Sequence, residues 1–461
     1  MGFDPSLAEF RFGYGLSPSV PAPSSAEDMM RRLRGPDNMA VRFPMIGYDP
    51  ILQRMARLEE LVKARRKSPG PETREAYAKA RRSMVDWARA NQRKWIGRHL
   101  ARRSWTRDAF RERLVAFWAD HFTARGKSAL GRWSTTPYVE SAIRPNVTGR
   151  FADLLTSVVK APLMLEALDQ RYSRGPGSKV VKRRGGPGGL NENLARELLE
   201  LHTLGVGGPY TQRDVRELAE LLTGLTFTTP DGTGFRRNAA EPGSETVLGK
   251  TYGGGKASMA DIDAVLQDLG THPATAANIA RKLVVHFVSD APDPDLVAAL
   301  TTRFVETGGD LLAVYEMFLS HPAAWQDGPG NLRPPFDWVS AAVRALAVPA
   351  PELWPSRHGR FFGRLPGALA RMGQPYEAPQ GPDGWPEEDD FWVTPQGLAG
   401  RLQWALNAPR LLVDDLPDPR DFVNMALGPR VNDRLRFAAY AAESRADGIG
   451  LILASPEFQR S

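Results

Sequence analysis

Asn193, Arg196, Glu197 and Glu200 recur at three- and four-residue spacing, which gathers four polar side chains on one face of a single helix. A carboxylate held beside a guanidinium in a dry site acquires the shifted protonation that acid/base work requires. Two imidazoles are candidates for the same site. His202 ends this helix near its apolar side, and His121 ends an earlier one, where Phe110, Leu114, Phe117, Trp118 and His121 form a single stripe with Asp120 beside the histidine. His121, Glu197 and His202 could therefore act as acid/base groups or as ligands of a divalent metal, with Arg196 and Glu200 beside them. Asn191, Glu140, Arg144, Tyr210 and Asp214 complete the candidate set as binding residues. Packed polar stripes must satisfy one another, because an unpaired buried polar group costs roughly 1–3 kcal/mol. That requirement pairs Arg196 with Glu140 or Asp214 and leaves Glu197 for His121. The competing reading is a solvated face of local ion pairs, each contributing roughly 0.2–0.5 kcal/mol.

The elements that must position these groups are helices. Asn191 is placed to cap the helix carrying the stripe, and Gly205, Gly207 and Gly208 stop it. Thr211 then caps a second helix, with Asp214 three residues on closing a capping box. Helical periodicity also fills 52–67 and 71–100, an arginine-rich hairpin broken at Ser68-Pro69-Gly70, and 106–122. Glu140 and Arg144 stand one turn apart as an ion-pair candidate. Residues 171–189 are too rich in glycine and basic residues for periodicity to pack them, so a mobile basic loop is expected there. Strand-forming residues cluster only at 225–229 and 246–252, which predicts a hairpin. An acidic loop with three large aromatics, 373–392, is expected to be pinned to the body and to face the basic helices. The fold class is mainly α, a multi-helix globular array with one small β-hairpin. Its organisation reads as a docking segment (1–25) anchored by Phe10, Phe12 and Tyr14, a helical region (26–230), a Gly-rich β insertion (231–257) and a second helical region (258–461).

Several stretches together resemble a bacterial family known as domain of unknown function 1800: FWADHF (117–122), NENLARELLELHTLGV (191–206), YTQRDV (210–215), LTGLTF (222–227), VLGKTY (247–252), ARKLVVHFVSD (280–290) and SPEFQR (455–460). The resemblance spans nearly the whole chain and implies little chemistry. It implies histidines where Asn146 and Ala240 stand here. It also implies a neighbour, an alkaline-phosphatase-like protein (domain of unknown function 1501), so a non-catalytic partner or maturation factor is the alternative to an enzyme.

Composition narrows the remaining classes. The 461 residues carry a formal net charge of +7. The excess is local, with 19 Lys plus Arg against 6 Asp plus Glu between positions 61 and 127. No zinc finger, helix-turn-helix or RNA-binding aromatic pattern accompanies it, which disfavours nucleic acid as a partner. The absence of cysteine removes disulfides and thiolate sites. No run of eighteen apolar residues occurs, so no transmembrane segment is expected. MGFDPSLAEFRFGYG carries neither a basic leader nor an apolar core, which favours the cytoplasm; export with a leader removed is the alternative. GKTYGGGKAS fails as a phosphate loop, because Ala257 follows Lys256 where Ser or Thr is needed.

Overall fold

The computed structural model describes residues 2–184, 189–349 and 359–461. Helix dominates it, as the periodicity predicts. The arginine-rich hairpin forms α1 (Asp49–Lys67) and α2 (Pro71–Trp105), each with proline in its first turn, where a missing N–H costs nothing. The exposed first half of α2 leaves its basic residues in solvent. Its second half turns inward at Trp95, Ile96 and Leu100, all buried. There the basic residues change role: Arg102 pairs with Glu140 and Arg103 with Asp337.

The elements that build the site follow. α3 is Ala109–His121, capped by Asp108, whose carboxylate accepts from Arg111 N. α4, Asn193–Glu197, carries the polar stripe and continues as a wider π turn over Leu198–His202. Asn191 Oδ1 accepts from Asn193 N at 3.0 Å, while its amide donates to Leu168 O. α5, Gln212–Leu221, starts in the expected Thr211/Asp214 capping box. α6 (Pro273–Phe287) and α7 (Pro335–Ala345) come from the C-terminal half.

Two large hydrophobic cores lie among the described residues, with a small cluster of Phe43 and Ala101 beside them. The larger gathers buried side chains between Ala8 and Trp325 around α3 and α6. The other joins Ile96 and Leu100 of α2 to α7 and to side chains as far as Phe458. Phe10, Phe12 and Tyr14 are almost fully buried, and Phe12 packs against Phe110, Phe287, Phe318 and Trp325.

Among the described residues strand is confined to 225–253, but as two small hairpins instead of one. β1 (Leu225–Thr228) pairs with β2 (Gly232–Phe235), and β3 (Ser244–Val247) with β4 (Lys250–Gly253). Local turns decide this. Leu248 and Gly249 both have positive φ, which suits a tight two-residue hairpin turn, so 246–252 folds back on itself before it can reach 225–229.

The basic loop also differs from its expectation. Residues Lys179–Arg184 form a short helix, and Gly175 N, Gly177 N and Val180 N donate to Ala239 O, the Glu241 carboxylate and Asn238 O. A Cβ on Gly175 would collide with Glu241, so glycine here serves close approach. Residues 185–188 of that stretch lie outside the described residues.

Candidate functional site

α3 delivers His121 to the interior as its stripe predicts. Phe110, Leu114, Phe117 and Trp118 are buried, and Trp118 Nε1 donates to the Tyr315 hydroxyl, which donates in turn to Val147 O. The π turn brings up the second partner. The last carbonyls of a helix lack intrahelical donors, and His202 O is one of them. It lies 3.2 Å from His121 Nε2. A carbonyl only accepts, so Nε2 carries the proton and Nδ1 presents a lone pair. That lone pair accepts from Lys282 Nζ, on α6, at 3.2 Å. Burial, reinforced by Lys282, pushes the His121 imidazole well below its ordinary range and keeps it neutral. Burial likewise lowers the Lys282 amine, against the attraction of Asp120 and Glu387.

The His121 and His202 segments are thus brought together, with Lys282 as a partner that the two motifs do not contain. His202 itself is fully buried, both ring nitrogens lack hydrogen-bond partners, and desolvation pushes its imidazole down to about 3. Among the described residues no three His, Asp or Glu side chains are grouped to hold a metal ion.

Most of the polar stripe lies at the surface. Asn193 is exposed, and Arg196, with 42% of its side chain accessible, pairs with Glu192 and Glu200 one turn to either side. Local partners capture it because they need no second helix. Glu140 and Arg144 do not pair with each other either. Residues Val139–Ile143 form a π turn, which breaks the four-residue register, so Glu140 takes Arg102 while Arg144 takes Glu112 and Asp37. Asp214 is committed to its cap and to Leu248 N. Tyr210 stands beside Glu200.

Glu197 alone of the stripe turns inward. Its Oε2 is buried without a hydrogen-bond partner, and desolvation, opposed by Lys127 and aided by Asp383, raises the carboxyl to about 7. The folded state therefore favours the protonated acid, and its advantage is lost as pH climbs from the free carboxylate value through 7. Glu197→Gln should leave stability unchanged at pH 5 and raise it by about 1–2 kcal/mol at pH 8, partial exposure having been allowed for. Urea melts at the two pH values check this; a variant less stable than the parent at pH 8 would show that Glu197 serves as a structural ion-pair partner.

On the other side of α3 lies a cavity of about 170 Å³ that the motifs do not announce. Glu112, Asp120, Asp337, Glu377 and Glu387 are among its polar groups, with Arg103 and His286. Its cover is the acidic aromatic loop, which is pinned as expected. Trp385 N donates to both Asp120 oxygens at 3.0 and 3.2 Å, and Gly384 is needed there because a Cβ would meet the same carboxylate. The acidic run does not face the basic hairpin, whose inner arginines already have partners. Glu387 goes instead to His286 Nδ1 at 2.8 Å, and Asp389 to Arg460. Arg113 donates to His286 Nε2, which fixes the proton on Nδ1, and shares Asp337 with Arg103. Burial and the neighbouring Glu387 raise Asp120 well above the ordinary carboxylate range. Burial also raises Glu377, to about 7, though Thr136 donates to it; its backbone is left-handed at φ 53°, a conformation non-glycine residues rarely hold.

No curated protein and no solved structure matches the chain. A family model described as a protein of unknown function (DUF1800) matches residues 10–460. That match takes in α3 with His121, the π turn with His202, Lys282 on α6 and the acidic loop, so the chain that builds this site belongs to the DUF1800 family.

Proposed function

We propose that the chain is an enzyme working by acid/base chemistry, with Lys282 as the reacting amine, His121 as the base that accepts its proton, and Asp120 as the carboxyl beside them. One observation carries this reading: the His121 lone pair meets Lys282 Nζ at 3.2 Å while the opposite ring nitrogen is anchored on His202 O. A reacting group, a base within hydrogen-bond reach and a third group orienting the base is the arrangement that activates weak nucleophiles. Desolvation supports it by favouring the neutral amine, the form that can take up a proton or attack an electrophile.

Amine reactivity tests the proposal without a known substrate. Pyridoxal phosphate followed by borohydride should label Lys282 at pH 8 faster than the exposed Lys63 and Lys79. His121→Leu should slow that labelling by about tenfold or more, the contribution expected of a positioned base. Labelling of Lys282 no faster than that of the exposed lysines would overturn it.

A further inference from the structure

The cavity under the acidic loop has a charge pattern that specifies an occupant. Of the five carboxylates in its lining, Glu112 is neutralised by Arg144, Asp337 by Arg103 and Arg113, and Glu387 is bonded to the His286 N–H. Among the described residues Arg103 is the only Lys or Arg in that lining, and it is spent on Asp337. Two carboxyls remain. Among the described residues neither Asp120 nor Glu377 has a cationic partner at ion-pair distance; one is held by a backbone N–H and the other by the Thr136 hydroxyl. Phe336, Tyr376 and Trp385 add aromatic rings to the same wall, with Phe336 and Tyr376 edge to face at 5.4 Å. A hydroxyl also faces this space. Tyr376 Oη is withdrawn from solvent beside Thr136 and Glu377 and completes no hydrogen bond of good geometry.

We infer that this cavity binds a small organic cation, an alkylammonium group, between the Asp120 and Glu377 carboxyls and against the aromatic wall. The chemistry of recognition is the pairing of an ammonium with carboxylates, assisted by ring faces. An anion would meet two acidic side chains and no unspent guanidinium. The volume agrees, since a cavity of about 150 Å³ accommodates a molecule the size of benzene. The raised Asp120 and Glu377 carboxyls fit as well, because a cation between them favours their charged forms. The inference goes beyond the acid/base reading, as it does not depend on the reactivity of Lys282.

Calorimetric titration of the full chain with n-butylammonium, n-pentanol and butyrate at matched ionic strength tests it. Butylammonium should bind at least tenfold more tightly than either of the others, and an Asp120→Asn, Glu377→Gln double variant should lose at least tenfold of that affinity. Both substitutions preserve shape; circular dichroism of the double variant and titration of each single variant guard against a folding defect. Equal binding of alcohol and ammonium, preference for butyrate, no saturable ammonium binding, or ammonium binding that survives in a folded double variant would each overturn the inference. Lys282 labelling is read separately, so either proposal can fail alone.

Discussion

Arg344→Met should lower stability by about 3–5 kcal/mol, the usual result of stripping one partner from a buried ion pair. Arg344 is 1% exposed and ties three segments together. From α7 it donates to Gly15 O at 2.9 Å, to Ser104 O and Thr106 O at the end of α2, and to the Glu9 carboxylate at 3.0 Å. Methionine keeps most of the volume and none of the donors, so four carbonyls, that of Arg103 included, and a buried carboxylate lose their partner together. Much of the loss comes from the stranded charge. Glu9→Gln in the same chain should therefore recover part of it, with a coupling of about 1–3 kcal/mol between the two sites in urea melts. Strict additivity would show that Arg344 acts through its carbonyl contacts alone.

Asp337→Ala should cost a similar amount, about 3–5 kcal/mol, for the opposite reason: it strands two guanidiniums. Arg103 and Arg113 are both buried, and each places Nη1 on one oxygen of Asp337. Attraction to the two arginines outweighs the desolvation that would raise the Asp337 carboxyl, and holds it below its ordinary range. Removing Arg103 as well, by Arg103→Met, should restore part of the stability. The effect should also reach the site, because Arg113 orients His286 through Nε2. Thermal melts of the single and double variants check the prediction; a single variant within about 0.5 kcal/mol of the parent would contradict it, since that is the range of substitutions touching nothing important.

The helical architecture was legible because it depends on periodicity and caps, both local. The α3 stripe delivers His121 inward, and Thr211 with Asp214 closes its box, as their spacing requires. The site was legible in part. His121 and His202 do meet, but through a backbone carbonyl, which no side-chain pattern encodes. Glu140 and Arg144 take other partners because the π turn over Val139–Ile143 breaks their four-residue register, while Arg196 keeps the local partners Glu192 and Glu200. Lys282 and His286 stand four residues apart on α6, so one face carried a readable amine and imidazole signal once lysine was counted with the histidines. Glu377 and Glu387 offered no such signal. They reach the cavity from a loop whose path is set by tertiary contacts, among them the Trp385 N–H on Asp120.

The burial of Phe10, Phe12 and Tyr14 has a consequence in time. Residues near position 10 are made long before their partners, for Phe12 packs on Phe318 and Trp325, and Arg11 donates to Ala324 O. At translation rates of about 5–20 residues per second, more than three hundred residues separate these partners by tens of seconds. The segment made first must wait for the segment that houses it. Closing so long a loop also raises contact order and slows folding. A nascent chain therefore displays this aromatic ribbon until residues 318–325 have been made, the kind of exposed sequence that holdase chaperones cover.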